Sequence, residues 1–151
     1  MDYLTKKART EWYFISLLLR LNMPVEGIEK KLRIDDIDDK KVKEVYTHFV
    51  DFFTVQPSSF IQDFIAGAGS DIIPIIDEIF LIDIEPEGDE ALRSELFLTI
   101  KNLKEMMIRE EMREISVELK QQELAQNTEE ISRLQERAGM LVMRLGKLQK
   151  L

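Results

Sequence analysis

Four aspartates crowd one short stretch, Asp35, Asp36, Asp38 and Asp39, and offer oxygen ligands of the kind that hold Ca²⁺ or Mg²⁺. A calcium loop also needs a glycine at its sharp turn and a closing glutamate at fixed spacing, and neither is present. The run reads instead as a solvated acidic turn. Asp38 or Asp39 is placed to cap the next helix, whose partly positive first turn favours a carboxylate. His48 is the only histidine, with Glu44 one helical turn before it. A metal ligand needs partners, and helical di-metal sites use Glu-x-x-His on each of two helices, so spacing alone makes His48 a half-exposed structural residue. Gly67-Ala68-Gly69 follows a helical segment, lacks the Lys-Ser/Thr ending of a phosphate loop and precedes an apolar run. It stops a helix.

There is no cysteine. With one histidine besides, the usual nucleophile and base pairs cannot be assembled, and carboxylate catalysis would need two acids in one pocket. The expectation is a chain with no catalytic residue, no cofactor, no metal and no small-molecule substrate, working by binding another protein.

Composition narrows the partners. The formal net charge of -8 sets a repulsive average field against a phosphate backbone, so no direct nucleic-acid binding is expected. The lack of cysteine is compatible with a reducing compartment, and the cytoplasm is the expected location. No apolar run reaches the roughly 18 residues of a spanning helix. Phe14 to Leu19 is short and broken by Ser16, and Met1 to Lys7 is not followed by a signal-type apolar core, so no membrane association is expected.

The elements that must position these residues are helices. Thr5 to Leu21 carries Trp12, Ile15, Leu18 and Leu19 at helical spacing and ends at Asn22 and Pro24. A short turn from Val25 to Leu32 points Ile28 and Leu32 inward. Lys40 to Val55 repeats Val42, Val45, Phe49, Phe52 and Phe53 as a third helix. Pro57, Ser58 and Ser59 open a fourth, with Phe60, Ile61, Phe64 and Ile65 on its apolar side and Gly67 and Gly69 closing it. Asp71 to Ile84 is rich in isoleucine and could be a buried strand in isolation, but no second strand exists to pair with it, which makes it a short fifth helix. Trp12, Phe49, Phe52, Phe64 and Leu96 are the expected core.

Asp89 to about Gln126 holds neither proline nor glycine, and at 1.5 Å per residue such a helix runs roughly 50 to 55 Å, longer than a small domain is wide. Leu92, Leu96, Ile100, Leu103 and Met107 share one face, but continuing that register lands on Glu110 and Glu114. The apolar series restarts one residue later as Ile108, Met112, Ile115 and Leu119, a rotation of about 100°. Asn127 and Thr128 interrupt the pattern, with Thr128 as the expected cap. Ile131, Leu134, Ala138, Leu141, Leu145 and Leu148 then recur as the seam for one antiparallel neighbour. The reading is all-α: a bundle of about five helices over 1–107, then a C-terminal antiparallel helical hairpin over 108–151.

The last helix also carries Met140, Val142, Met143 and Leu151 off its seam, where adaptable methionine suits a binding surface. Arg133, Arg137, Arg144, Lys147 and Lys150 outnumber Glu129, Glu130 and Glu136, so this end of an acidic chain is locally positive. A charged rim around an apolar patch gives an interface its register and encounter rate. The expected partner-binding residues are Met140, Val142, Met143, Arg144, Lys147, Lys150 and Leu151.

The order of a small bundle, a long helix opening with Asp89-Glu90-Ala91-Leu92-Arg93 and running into Met112-Arg113-Glu114-Ile115, a polar turn and a last helix resembles the C-terminal helicase-binding domain of bacterial DNA primase. Arg33 to Phe53, with acidic residues followed by Lys41, Val45, Tyr46 and Phe49, is similar to the first subdomain of that family. The zinc ribbon and acidic polymerase centre of a whole primase are absent from the sequence. The resemblance implies a hairpin that docks on the N-terminal domains of the replicative hexameric helicase, recruits primase to the replication fork and stimulates the helicase. Two other readings stay open: a self-associating N-terminal domain of a replicative helicase, and a coiled-coil scaffold unrelated to replication.

Overall fold

The Thr5 hydroxyl accepts the backbone N–H of Ala8 at 3.1 Å and so starts the first helix, α1, Lys6–Leu19. From Phe14 onward α1 is buried on every side, including Ser16. The computed structural model describes residues 4–150. Beyond α1 these hold α2 (Ile28–Lys31), a 3₁₀ turn (Ile34–Asp36), α3 (Lys40–Val55), α4 (Ile61–Ala66), α5 (Ile73–Phe80), α6 (Asp89–Leu124) and α7 (Thr128–Gln149). No strand occurs among the described residues, and the all-α expectation holds.

The acidic turn is a joint between α1 and α3. Asp39 caps α3 by accepting the N–H groups of Lys41 at 3.0 Å and Val42 at 3.1 Å, while its other oxygen accepts the indole N–H of Trp12 at 3.0 Å. One short carboxylate thereby ends a loop, starts a helix and fixes a core aromatic ring. Glu11, fully buried on α1, serves the same turn from beneath. Asp35 and Asp38 face outward and pair with Lys43 and Lys7.

The core of this first unit is aromatic. The Phe14 ring meets Tyr46 edge-on at 5.3 Å, and Phe49 packs against Phe53 at 4.6 Å and Phe64 at 5.4 Å. Trp12, Phe49, Phe64 and Leu96 are buried as expected. Phe52 is only half-buried, because it lies at the edge of the α3 stripe and rests on Phe53 and Phe64. Phe60 is 58% exposed: α4 starts one residue after it, and its N–H is capped by the Asp63 carboxylate at 3.2 Å. The isoleucine-rich segment buries Ile72, Ile75, Ile76 and Ile79, the spacing of a helix and not of a strand. Arg20 at the end of α1 donates to the carbonyl of Ile82 at 2.8 Å and fastens the chain leaving α5.

The chain forms two compact units, the first ending at Ile100 and the second beginning at Lys101. The rotation of the apolar face lies further along, where Leu92, Leu96, Ile100 and Leu103 give way to Ile108, Met112 and Ile115, with Glu110 and Glu114 exposed between. The expected boundary after Met107 follows that rotation.

Candidate partner interface

The second unit is built on a seam. Ile115 of α6 packs with Leu134 and Leu141 of α7, all buried, and Ile108, Met112, Leu119 and Ala138 close around them. The seven-residue step from Leu134 to Leu141 keeps one face of α7 on its neighbour. Ion pairs flank it, Glu111 with Arg137 and Glu118 with Arg133 at 3.9 Å; the first climbs α6 as the second descends α7, as antiparallel helices require.

At the tip Gln126 takes a left-handed φ of 57°. The Asn127 side chain then accepts the N–H of Glu130 at 3.3 Å. The cap of α7 is therefore Asn127, one residue ahead of the expected Thr128, which is already helical. Asparagine is at least as good a cap as threonine, and it sits directly after the reversal.

Off the seam, Met140, Val142 and Met143 are 55%, 54% and 64% exposed. They do not form a single patch. Met140 and Met143 are three residues apart and share an outer face, with Arg144 one turn beyond Met140 and Lys147 one turn beyond Met143. Val142 lies on the opposite flank of the helix, about 200° round from Met140. Leu151 lies outside the described residues.

The cations divide as well. Arg133 pairs with Glu130 and Glu118, and Arg137 with Glu111, so both are spent on the hairpin itself. Arg144, Lys147 and Lys150 are exposed and make no ion pair among the described residues. The unpaired positive charge of α7 thus collects beside the two methionines. Such a strip can take an apolar anchor between its methionines while the cations meet acidic groups on the partner's rim. Val117, 59% exposed on the outer side of α6, adds an apolar position that reading the Ile115 and Leu119 stripe alone passes over.

A second cluster joins residues that the sequence kept apart. The exposed side chains of Glu44 and His48 on α3 meet Asp71, from the loop between α4 and α5, with their ligand atoms all within 4.8 Å of one another. The partner that His48 lacked in sequence comes from a loop far along the chain.

No helix among the described residues is long and apolar enough to cross a membrane. Comparison with protein families, with curated proteins and with solved structures found no match to this chain.

Proposed function

We propose that this chain is a protein-binding module of the cytoplasm that acts through its C-terminal hairpin and catalyses nothing itself. The observation that carries this is the exposed strip of Met140 and Met143 beside Arg144, Lys147 and Lys150, apolar and cationic side chains that the hairpin's own seam does not use. The partner is the set of N-terminal domains of a bacterial replicative hexameric helicase, and the chain is the helicase-binding end of a primase, bringing it to the fork and stimulating unwinding. Support for that partner is the order of elements, a small bundle, a long helix, a polar turn and a last helix. Net charge of -8 and a cationic strip confined to one helix support binding a protein in preference to nucleic acid.

The test is size-exclusion chromatography with the replicative helicase of the same organism. The chain should elute alone as a monomer and move into the hexamer fraction when mixed. Trimers or hexamers of the chain by itself would replace this reading with that of a helicase N-terminal domain. Neither self-association nor co-elution would leave the scaffold reading.

A further inference from the structure

We propose that Glu44, His48 and Asp71 form a binding site for a divalent transition ion, Zn²⁺ being the best fit, which ties α3 to the loop between α4 and α5. This goes beyond the partner-binding role and does not depend on it.

Glu44 and His48 are one turn apart on α3 and face the same way, and Asp71 closes the third side. The distance from His48 Nε2 to Asp71 Oδ2 is 3.5 Å. That is long for a hydrogen bond. It is close to the ~3.4 Å that separates two ligands held about 2.1 Å from a tetrahedral ion. Only small side-chain rotations are needed to converge three ligands whose atoms already lie within 4.8 Å.

Neither Glu44 nor Asp71 pairs with a lysine or arginine among the described residues. Two carboxylates converge on the imidazole, and a divalent cation held there would neutralise their charge. The imidazole selects a borderline ion over Mg²⁺ or Ca²⁺, which take oxygen ligands, and water completes the shell on the exposed side.

Gly69 gives an independent reason. A Cβ built there would lie 2.7 Å from Asp71 Oδ1, while the Gly69 backbone is outside the left-handed region that would demand glycine. Glycine at this position leaves room for the Asp71 carboxylate. A side chain would push that flexible carboxylate away without disturbing backbone packing.

The lone histidine makes the test clean. The whole chain, stripped with EDTA, is titrated with ZnCl₂ by calorimetry and followed by NMR of the His48 ring. One Zn²⁺ per chain, ring signals that shift with Zn²⁺ but not with Mg²⁺, and a raised melting temperature are expected. His48→Ala should lose binding, and Gly69→Ala should keep a cooperative metal-free melt yet bind Zn²⁺ ~10-fold more weakly, the scale of loss when a ligand is pushed out of place by its surroundings. A His48 ring unmoved at saturating Zn²⁺, or a His48→Ala chain that binds Zn²⁺ as tightly as the unaltered one, would overturn the proposal.

Discussion

The buried carboxylate of Glu11 accepts the backbone N–H of Asp39 at 2.9 Å through one oxygen and that of Asp38 at 2.8 Å through the other, with the Lys7 ammonium 3.3 Å away. The charge is tolerated because every one of these neighbours favours it. Glu11→Ala should orphan two buried backbone donors, while Lys7 keeps its pair with Asp38, and cost about 2 to 4 kcal/mol. Glu11→Gln, which keeps one acceptor oxygen, should cost less. Urea denaturation decides it, and an alanine variant within 0.5 kcal/mol of the parent would remove Glu11 from the list of structural residues.

Phe49 is fully buried between Phe53 and Phe64, so Phe49→Ala should cost about 3 to 5 kcal/mol. Half-buried Phe52 should lose much less on the same change. Parallel thermal melts of the two variants measure the contrast, and equal losses would contradict the packing described for α3.

Gly139 and Gly146 lie inside α7, and a Cβ at either would meet nothing within 4 Å. Neither has a positive φ. Each therefore carries the entropy cost of glycine with no packing return, and Gly139→Ala and Gly146→Ala should each stabilise α7 by up to about 1 kcal/mol. A higher melting temperature with unchanged helicity at low temperature is the expected signature.

The Tyr46 hydroxyl, buried, donates to the Leu32 carbonyl at 2.6 Å. Burial first, then the nearby carboxylates of Glu29 and Asp36, raise its pKa well above that of a free phenol. Below about pH 10 both folded and unfolded chains keep the proton and the fold is unaffected; above it the unfolded chain releases the proton first and gains. Stability should therefore fall as pH climbs past about 10. Burial lowers the Lys7 pKa, but Asp38 and Glu11 outweigh it and raise the value, adding a loss of the same sign. Tyr46→Phe should flatten part of the slope while costing about 1 kcal/mol near neutrality for the lost hydrogen bond. Melting temperatures from pH 8 to 11.5 test both halves.

If the strip on α7 carries partner binding, Met140→Ala with Met143→Ala should weaken helicase binding by about 2 kcal/mol, some thirtyfold. Lys147→Ala should chiefly alter the on-rate and salt dependence. The methionines are exposed, so the hairpin should keep its helicity. Unchanged affinity in the double variant would move the contact elsewhere.

Periodic features were legible from sequence because they follow from local geometry. The spacing marks Lys40–Val55 to the residue, Asp39 stands directly before its first turn, and the seam through Leu134 and Leu141 follows from three-and-four spacing alone. The exposure of Met140 and Met143 also follows from their angle to that seam. Long-range partners were not legible. Glu11 reads as a polar position in an apolar helix until the turn that needs its oxygens is placed above it. Asp71 reads as the start of an isoleucine run, and nothing local brings it to His48. Phe52 fits the α3 stripe by spacing, and its half-exposure depends on how α4 lies across that edge. The cap falls on Asn127 and not on Thr128 because Gln126 reverses the chain, and a non-glycine residue with positive φ has no strong sequence signal.

The hydrogen bond from the Tyr13 hydroxyl to Glu95, 3.1 Å long, joins residues near opposite ends of the first unit. During synthesis, which runs at about 5 to 20 residues per second from the N-terminus, that unit stays open until the first turns of α6 have left the ribosome. The hairpin has the reverse character. Ile115 and Leu134 flank a single tip, so the entropy of bringing them together is small and α7 can zip onto its neighbour soon after it emerges. The order of birth is thus bundle first and hairpin last, and a nascent chain cannot display the finished hairpin before the element carrying Met140 and Met143 has been released.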